Sequence, residues 1–243
     1  MWIVTLAAAV LPGLLLIRYF YRRDQNPEPR RVVIFTALLG VLAVIPIVIV
    51  ELLVSDYLDG LSLQPLLQTF GQAFLVAACV EESFKFLVLK LYSTRHAAYD
   101  EPMDGIVYGV AASLGFACLE NVLYVLEGGL PVACMRALTA VPGHAACGAI
   151  MGYYLGKSSF EPNDSGRNLL FALLIPIFFH GLYDWPLMMV SSEAISWAQS
   201  GTGVLVLVVF FFVAFGFEIR YALRCVRDMQ QQQERESTDL SSP

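Results

Sequence analysis

Seven apolar segments divide the chain, and short polar stretches separate them. A helix of about 20 residues spans a hydrocarbon core about 30 Å thick, so the pattern predicts an all-α bundle of about seven transmembrane helices. The segments run over residues 1–20, 32–54, 66–91, 104–126, 131–156, 168–191 and 201–223. We expect the segments from about 66 to 191 to form the functional core, because ionisable residues are concentrated there.

Basic residues orient these segments. If the N-terminus lies outside, 13 of the 15 Lys and Arg fall in or beside segments on the inner side. Cytoplasmic loops carry an excess of Lys and Arg, so the sequence predicts an outside N-terminus and a cytoplasmic C-terminus. The last residues are rich in Gln, Glu and Ser, which favours disorder. We therefore expect a single transmembrane domain over 1–227 and a disordered cytoplasmic tail over 228–243.

Composition excludes two broad classes of protein. A chain of 243 residues that is 57% hydrophobic and 15% charged has too much apolar surface for one soluble core. A net charge of -6 leaves too few clustered basic residues for the phosphate contacts of a nucleic-acid-binding protein. We expect a multi-pass protein of a cell membrane, with the bacterial cytoplasmic membrane as its location.

Two adjacent carboxylates, Glu81 and Glu82, lie inside the third apolar segment with Lys85 one turn later. Each ionised side chain in the middle of a membrane helix costs roughly 2.5 to 3.5 kcal/mol on insertion scales, so such residues usually serve chemistry or transport. Lys85 can neutralise one of the two, because residues three and four apart share a helix face. An ion-pair network that only fixes helix packing is the structural alternative.

Depth along the helices predicts which polar residues meet. With a rise of about 1.5 Å per residue, four ionisable residues from three helices fall at about 14 to 18 Å from the cytoplasmic side: Glu81, Glu82, His144 and His180. Glu120 and Asp184 fall a little over one turn further out, at about 24 Å. The pattern therefore predicts one polar layer near the membrane midplane.

These residue types suit hydrolysis. A buried pair of carboxylates can retain a proton near neutral pH, so Glu81 or Glu82 could act as a general base for water. His144 and His180 could bind a metal together with a glutamate, or hydrogen-bond an oxyanion, or be structural histidines. Asp184 follows His180 by one turn and could fix the tautomer of its ring. A proton- or cation-coupled transporter or a lipid-binding membrane protein is the alternative function.

Small residues at four-residue spacing mark two helices for close packing. Such ridges let helix backbones approach each other in lipid. They comprise Gly105, Gly109, Ser113 and Ala117 in the fourth segment, and Gly148, Gly152 and Gly156 in the fifth. Asp104 begins the fourth segment and is interpreted as a helix cap.

The ordered motifs resemble the PrsW family of intramembrane proteases, relatives of the CaaX-prenyl endopeptidases and bacteriocin-processing proteins. Glu81-Glu82-Ser83-Phe84-Lys85 is similar to the EExxK signature of that family, and the likeness continues in order to Asp184. The resemblance covers about residues 70 to 190. It implies a membrane protease of seven or eight helices. The best-known member of the family cleaves a single-span anti-sigma factor to start a stress response.

By position, the resemblance implies that six residues form the catalytic site: Glu81, Glu82, Glu120, His144, His180 and Asp184. Glu81 is predicted as the general base with Glu82 supporting it. Zinc is the implied metal, with Glu82, His144 and His180 as its predicted ligands, and a metal-free, glutamate-activated water is the alternative. The CaaX relatives have His in place of Glu120 and usually Asn in place of Asp184, which leaves the oxyanion-binding group open. The expected substrate is a membrane protein.

Overall fold

The computed structural model describes the backbone of residues 2–241 and the side chains of residues 3–235. The described chain is 87% helical and contains no strand. Eight α-helices follow in order: α1 (Trp2–Tyr21), α2 (Arg30–Gly60), α3 (Pro65–Gly71), α4 (Cys79–Leu91), α5 (Pro102–Leu138), α6 (Ala140–Phe160), α7 (Ser165–Ser191) and α8 (Gly201–Ser241). A π-helical stretch, Gln72–Ala78, joins α3 to α4, and 3₁₀ turns lie at Ser93–Arg95 and Pro162–Asp164.

Five of the described helical stretches are long and apolar enough to cross a membrane, so the all-α membrane class is confirmed. They are Ile3–Tyr21, Arg30–Gly60, Pro102–Phe160, Pro162–Ser191 and Gly201–Arg235. Five differs from the predicted seven for two reasons. The stretch Pro102–Phe160 contains two helices, α5 and α6. The third predicted segment is divided by the π-helical stretch and carries the charges of Glu81, Glu82 and Lys85.

The glycine ridges join α5 to α6 as the sequence predicts. A Cβ on Gly105 would lie 2.2 Å from the carbonyl oxygen of Gly152, and one on Gly109 would lie 2.2 Å from that of Gly148. One on Gly156 would lie 2.3 Å from the carbonyl oxygen of Pro102. Residue numbers rise on one helix as they fall on the other, so the two helices are antiparallel. Only hydrogen at these positions permits such close contact between backbones.

A second pair of helices approaches in the same way. A Cβ on Gly40 of α2 would lie 2.1 Å from the carbonyl oxygen of Ala112, and one on Gly115 of α5 would lie 2.0 Å from that of Ala37. Helix α5 therefore packs closely against α2 on one side and α6 on the other. Residues 102–117 are all buried, which makes α5 the central helix of the bundle.

The chain folds back at Gly129, which lies inside α5 and within the loop predicted between the segments 104–126 and 131–156. Gly129 has φ +65 and ψ -157, a conformation that only glycine adopts readily, and Pro131 follows it. Residues 130–138 then form a short helical segment, and α6 begins at Ala140 rather than near residue 131. The fold-back brings Arg136 next to the earlier part of α5, where it contacts Glu120 and Asn121.

Helix α8 extends into the tail that the sequence predicts to be disordered, and residues 242–243 of that tail lie outside the described residues. Helix α8 continues without a break from Gly201 to Ser241. Met229 is 1% exposed, and the buried Gln233 side chain donates to Asp24 Oδ1 at 2.8 Å. These contacts with the loop between α1 and α2 order a segment whose own composition favours disorder. Helix α1 ends and α2 begins in this part of the molecule. We call it the arginine-rich end, after Arg22, Arg23, Arg30 and Arg31.

Candidate active site

The paired glutamates and Lys85 form a buried ion-pair group on α4. Lys85 Nζ donates to Glu81 Oε2 at 2.9 Å and to Glu82 Oε1 at 2.8 Å. The side chains are 1% exposed for Lys85, 8% for Glu81 and 0% for Glu82. Spacings of three and four residues place all three on one helix face, as predicted. Lys85 neutralises half of the pair's charge, and it binds both carboxylates rather than one.

Backbone irregularity positions this group. The π-helical stretch ends three residues before Glu81, and such stretches often occur at functional sites because they rotate the residues that follow. Phe74 within it lies against α7, where a Cβ on Gly181 would be 2.3 Å from its ring. The absence of a side chain at Gly181 thus lets the π-helical stretch and α7 meet next to His180.

His144 of α6 connects the ion-pair group to α5. Its Nδ1 lies 3.3 Å from Lys85 Nζ, and its Nε2 lies 2.9 Å from Glu120 Oε2. An ammonium can only donate, so Nδ1 accepts a hydrogen bond from Lys85. Nε2 therefore carries the ring hydrogen and donates a hydrogen bond to Glu120. Arg136 Nη2 donates to the same Glu120 oxygen at 2.7 Å, and its Nε donates to Asn121 at 2.6 Å.

His180 of α7 lies between two carboxylates. Its Nδ1 is 2.8 Å from Glu82 Oε1, and its Nε2 is 3.2 Å from Asp184 Oδ2 and 3.9 Å from Glu81 Oε2. Both ring nitrogens therefore face acceptors, which an imidazolium with two N–H groups satisfies. The rings of His144 and His180 are 5.5 Å apart at their centroids and perpendicular.

All six predicted site residues thus lie in one cluster. The backbone positions of Glu120 and Asp184 are predicted about one turn further from the cytoplasmic side than the other four. Their side chains nevertheless reach the same layer. Five of the six also line a cavity of about 410 Å³: Glu81, Glu120, His144, His180 and Asp184. The sixth, Glu82, does not line it. The two glutamates therefore differ, since Glu81 faces the cavity and Glu82 lies behind it.

The structure adds three charged residues that the sequence reasoning missed. Arg136, Glu51 of α2 and Glu218 of α8 also line the cavity. Glu218 is 1% exposed, and its Oε1 accepts from Cys147 Sγ at 3.2 Å. A carboxylate in the middle of the apolar segment 201–223 was the available signal for Glu218. Depth along the helices could not place Arg136 at the cavity, because helical rise does not predict the fold-back that brings it next to Glu120.

Known proteins identify the chain. A family model described as PrsW family intramembrane metalloprotease matches residues 28–215, which include every residue of the cluster. The chain belongs to the PrsW family. Proteins named Protease PrsW are similar over most of their length. That of Geobacillus kaustophilus is 41% identical over 184 residues, which cover 75% of this chain and 79% of the relative. That of Bacillus subtilis is 40% identical over 190 residues, which cover 77% and 84%.

Membership of the PrsW family makes the chain a membrane protease and favours hydrolysis over the transporter alternative. A third relative named Protease PrsW, from Oceanobacillus iheyensis, is 38% identical over 187 residues, which cover 77% of this chain and 84% of the relative. No solved structure matches the chain. The arrangement of the cluster described above therefore rests on the geometry of this PrsW-family chain itself.

The PrsW family's description implies a metal, and the cluster contains suitable donors. Glu81, Glu82 and His144 each place a ligand-capable atom within 4.8 Å of the others, and Glu82 Oε2 has no hydrogen-bond partner among the described residues. This group contains Glu81 in place of the predicted ligand His180, because both nitrogens of His180 face carboxylates. By donor chemistry the group is consistent with a metal ion.

Lys85 competes for the same position. Its ammonium donates to Glu81 and Glu82 and lies 3.3 Å from the third donor, His144 Nδ1. An ammonium and a metal ion cannot share one set of ligands at these distances, because like charges repel strongly in a buried site. As arranged here, the oxygens of Glu81 and Glu82 and Nδ1 of His144 fit the Lys85 ammonium better than they fit a metal ion. Lys85 is therefore the cation of the cluster.

Proposed function

We propose that this PrsW-family protease hydrolyses a peptide bond of a single-span membrane protein through a water molecule activated by Glu81. The observation that supports Glu81 is its position: it is the only member of the buried glutamate pair that lines the cavity. Its Oε2 has one hydrogen bond, from Lys85, which leaves Oε1 to accept a proton from water. Glu81 would then return that proton to the leaving nitrogen.

The other residues of the cluster hold Glu81 in place. Glu82 accepts from Lys85 and from His180 Nδ1, so its negative charge is balanced by two donors. Lys85 supplies the positive charge that lets two adjacent carboxylates remain buried. No step of this reaction is assigned to a metal ion, since Lys85 contacts all three of the gathered metal donors.

We assign the oxyanion to the Nε2 N–H of His180, which lies 3.2 Å from Asp184 and is held less tightly than the Nδ1 N–H, 2.8 Å from Glu82; the oxyanion would share this N–H with Asp184. The His180 ring lines the cavity and is surrounded by carboxylates, which favour a ring with both nitrogens protonated. Asp184 accepts a hydrogen bond from Nε2 and orients the ring. Asparagine could accept the same hydrogen bond but would not supply the negative charge. His144 donates to Glu120 and accepts from Lys85, so it fixes α5, α6 and α4 relative to one another.

We further propose that the chain crosses the membrane seven times, with the segment 65–91 as the third crossing. This is supported by the location of the carboxylate cluster on α4, between two helices that each carry a span. The cavity extends past Ser55 and Gln72, which lie at the end of the bundle remote from the arginine-rich end. With the arginine-rich end in the cytoplasm, the cavity would admit a substrate from the outer side. Cleavage of an anti-sigma factor outside its membrane span, as the first cut of a stress response, fits that geometry.

Mass spectrometry of new protein N-termini tests this function. Membranes of the source strain are compared with membranes of a strain that carries Glu81→Gln at the normal locus. We expect at least one single-span protein to be cut just outside its span in the first strain, and the cut to fall at least 100-fold in the second, as for loss of a general base. His96→Gln, in a loop outside the cluster, is the matched control and should leave the cut unchanged.

The position of the cut separates the parts of the proposal. A cut on the cytoplasmic side would contradict the orientation but leave Glu81 as the base. Equal cutting in the wild-type and Glu81→Gln strains, with both proteins present in equal amounts, would contradict the assignment of the base.

A further inference from the structure

A second carboxylate cluster lies at the arginine-rich end. Asp24 and Glu28, from the loop between α1 and α2, meet Asp104 in the first turn of α5, and their ligand-capable atoms lie within 4.8 Å of one another. All three side chains are buried, at 5%, 4% and 0% exposure. Asp104 precedes Glu120 by 16 residues on α5, or about 24 Å of helix. The cluster is therefore separate from the active site.

Buried oxygens without partners point into this cluster. Asp24 Oδ1 accepts from Asn26 N at 3.0 Å and from Gln233 Nε2 at 2.8 Å, whereas Asp24 Oδ2 has no partner in the described part of the chain. Asp104 Oδ2 accepts from the backbone N–H groups of Asp100 and Glu101, both at 2.8 Å, so Asp104 caps the helix from its third residue, while Glu101 is the N-cap. Asp104 Oδ1, however, is buried without a partner among the described residues.

A third such oxygen comes from α8. Gln233 is 5% exposed, and its amide nitrogen donates to Asp24, while its amide oxygen is buried without a partner within residues 3–235. A buried oxygen that lacks a hydrogen bond costs about 1 to 3 kcal/mol. Two of the three, Asp24 Oδ2 and Asp104 Oδ1, belong to the carboxylates of the cluster itself, and a bound cation would satisfy both.

No lysine or arginine of the described residues forms a direct ion pair with Asp24, Glu28 or Asp104. The ion pairs of the described lysines and arginines involve other carboxylates. Glu28 lies within hydrogen-bonding reach of Asp104, and Asp24 lies within reach of Glu101, so carboxyl oxygens approach each other closely in this cluster. Tyr108 donates to Glu28 Oε2, which satisfies one oxygen but adds no charge. The negative charge therefore needs either bound protons or a bound cation.

We propose that Asp24, Glu28 and Asp104 bind a hard divalent cation, Mg²⁺ or Ca²⁺. All the available donors are oxygens, which these ions prefer. Two oxygens on opposite sides of a Ca²⁺ ion, each at about 2.4 Å, are about 4.8 Å apart, and Mg²⁺ requires a slight contraction. The donor atoms all lie within 4.8 Å of one another, so either ion could contact all three with small adjustments. Gln233 contributes its amide oxygen or fixes Asp24.

The cation would join three separated parts of the chain. Asp24 and Glu28 belong to the loop between α1 and α2, Asp104 begins the central helix α5, and Gln233 lies in the extension of α8. Helix α5 also carries Glu120 of the active site. The cation would therefore stabilise the central helix and hold the extension of α8 against the bundle.

Thermal unfolding of the full-length protein in lipid nanodiscs tests the proposal. The protein is treated with EDTA, dialysed, and titrated with MgCl₂ or CaCl₂ at constant ionic strength. Cation at 100-fold over its Kd should raise Tm by about 5 to 10 °C for a domain of this size. A response to only one of the two ions identifies which one the site takes.

Two variants locate the site. Asp24→Asn and Glu28→Gln keep the size of each side chain and remove its charge, so each should abolish the rise in Tm. Asp164→Asn is the matched control, because Asp164 is an acid outside the cluster that pairs with Arg167 at 2.9 Å. It should retain the full response.

Terbium luminescence gives a readout independent of folding stability. Tb³⁺ substitutes for Ca²⁺, and Tyr108, which donates to Glu28, is close enough to sensitise its emission. We expect a signal that Ca²⁺ displaces, that Glu81→Gln retains, and that Glu28→Gln loses while its circular dichroism stays that of the wild type. No cation-dependent rise in Tm in the wild type would mean that the carboxylates share protons, and would overturn the proposal. An equal rise or signal in Asp24→Asn and Glu28→Gln would also overturn it, because the ion would then bind elsewhere.

Discussion

Gly152→Ala tests how strongly the active site depends on the contact between α5 and α6. A Cβ at this position would lie 1.9 Å from the carbonyl oxygen of Gly105, about 1.5 Å short of the 3.4 Å at which ordinary contact begins. The nearest obstacles are backbone atoms, since Ile106 Cα is also only 2.7 Å away. Backbone cannot turn aside as a side chain can, so the two helices must separate.

The separation has two consequences. Small-to-large changes in a packed interface cost about 1 to 3 kcal/mol, so we expect the free energy of unfolding to fall by that amount. His144 lies two turns from Gly152 on α6, and its Nε2 is 2.9 Å from Glu120 on α5. An increase of about 1 Å in that distance breaks the hydrogen bond, and misplacement of this size lowers reaction rates by about 100-fold.

The assays are unfolding of the protein by SDS titration and cleavage of the substrate identified above. Gly216→Ala is the matched control, because Gly216 lies in the apolar helix α8 with nothing within 4 Å of a built Cβ. Both changes replace helical glycine by alanine, so both gain about 1 kcal/mol of helix propensity and their difference isolates the contact. Equal stability and equal cleavage in the two variants would refute the reasoning.

Three further outcomes follow from the charged cluster. Lys85→Met should lower the free energy of unfolding by about 3 to 5 kcal/mol in SDS titration, because Glu81 and Glu82 lose their shared ammonium; unchanged stability would contradict the ion-pair role. Asp184→Asn should reduce cleavage by about 10- to 100-fold without lowering Tm, because asparagine keeps an acceptor for Nε2 but removes the negative charge that favours a protonated ring, and an unaffected rate would remove His180 from the oxyanion. Treatment with a zinc-selective chelator, with Mg²⁺ and Ca²⁺ kept in excess, should leave cleavage unchanged; loss of activity that zinc restores would show that a metal replaces the Lys85 ammonium.

Helical rise and spacing predicted that four of the six site residues meet, and the resemblance to the PrsW family added Glu120 and Asp184. The layer of Glu81, Glu82, His144 and His180 needs only the approximate ends of three helices, and errors of one turn are absorbed by the reach of the side chains. The prediction of packing between α5 and α6 succeeded for a similar reason. Small residues four apart, such as Gly148 and Gly152, indicate contact whichever residue ends the helix.

Irregular backbone explains what the sequence did not predict. The positive φ of Gly129 begins a fold-back that places Arg136 beside Glu120, and no periodic pattern encodes such a return. The extension of α8 is polar and lacks an apolar face of its own. It is ordered through particular partners, such as the hydrogen bond from Gln233 to Asp24, that only the assembled bundle supplies.

The spacing of the EExxK motif explains why two glutamates are needed where one base suffices. Lys85 lies three residues after Glu82 and four after Glu81, so one ammonium contacts both and leaves one negative charge in excess. His180 Nδ1 then binds Glu82 at 2.8 Å, whereas its Nε2 stays 3.9 Å from Glu81. The less compensated charge therefore remains on the glutamate that faces the cavity. Glu82 holds the lysine and the histidine, and Glu81 is free to take a proton from water.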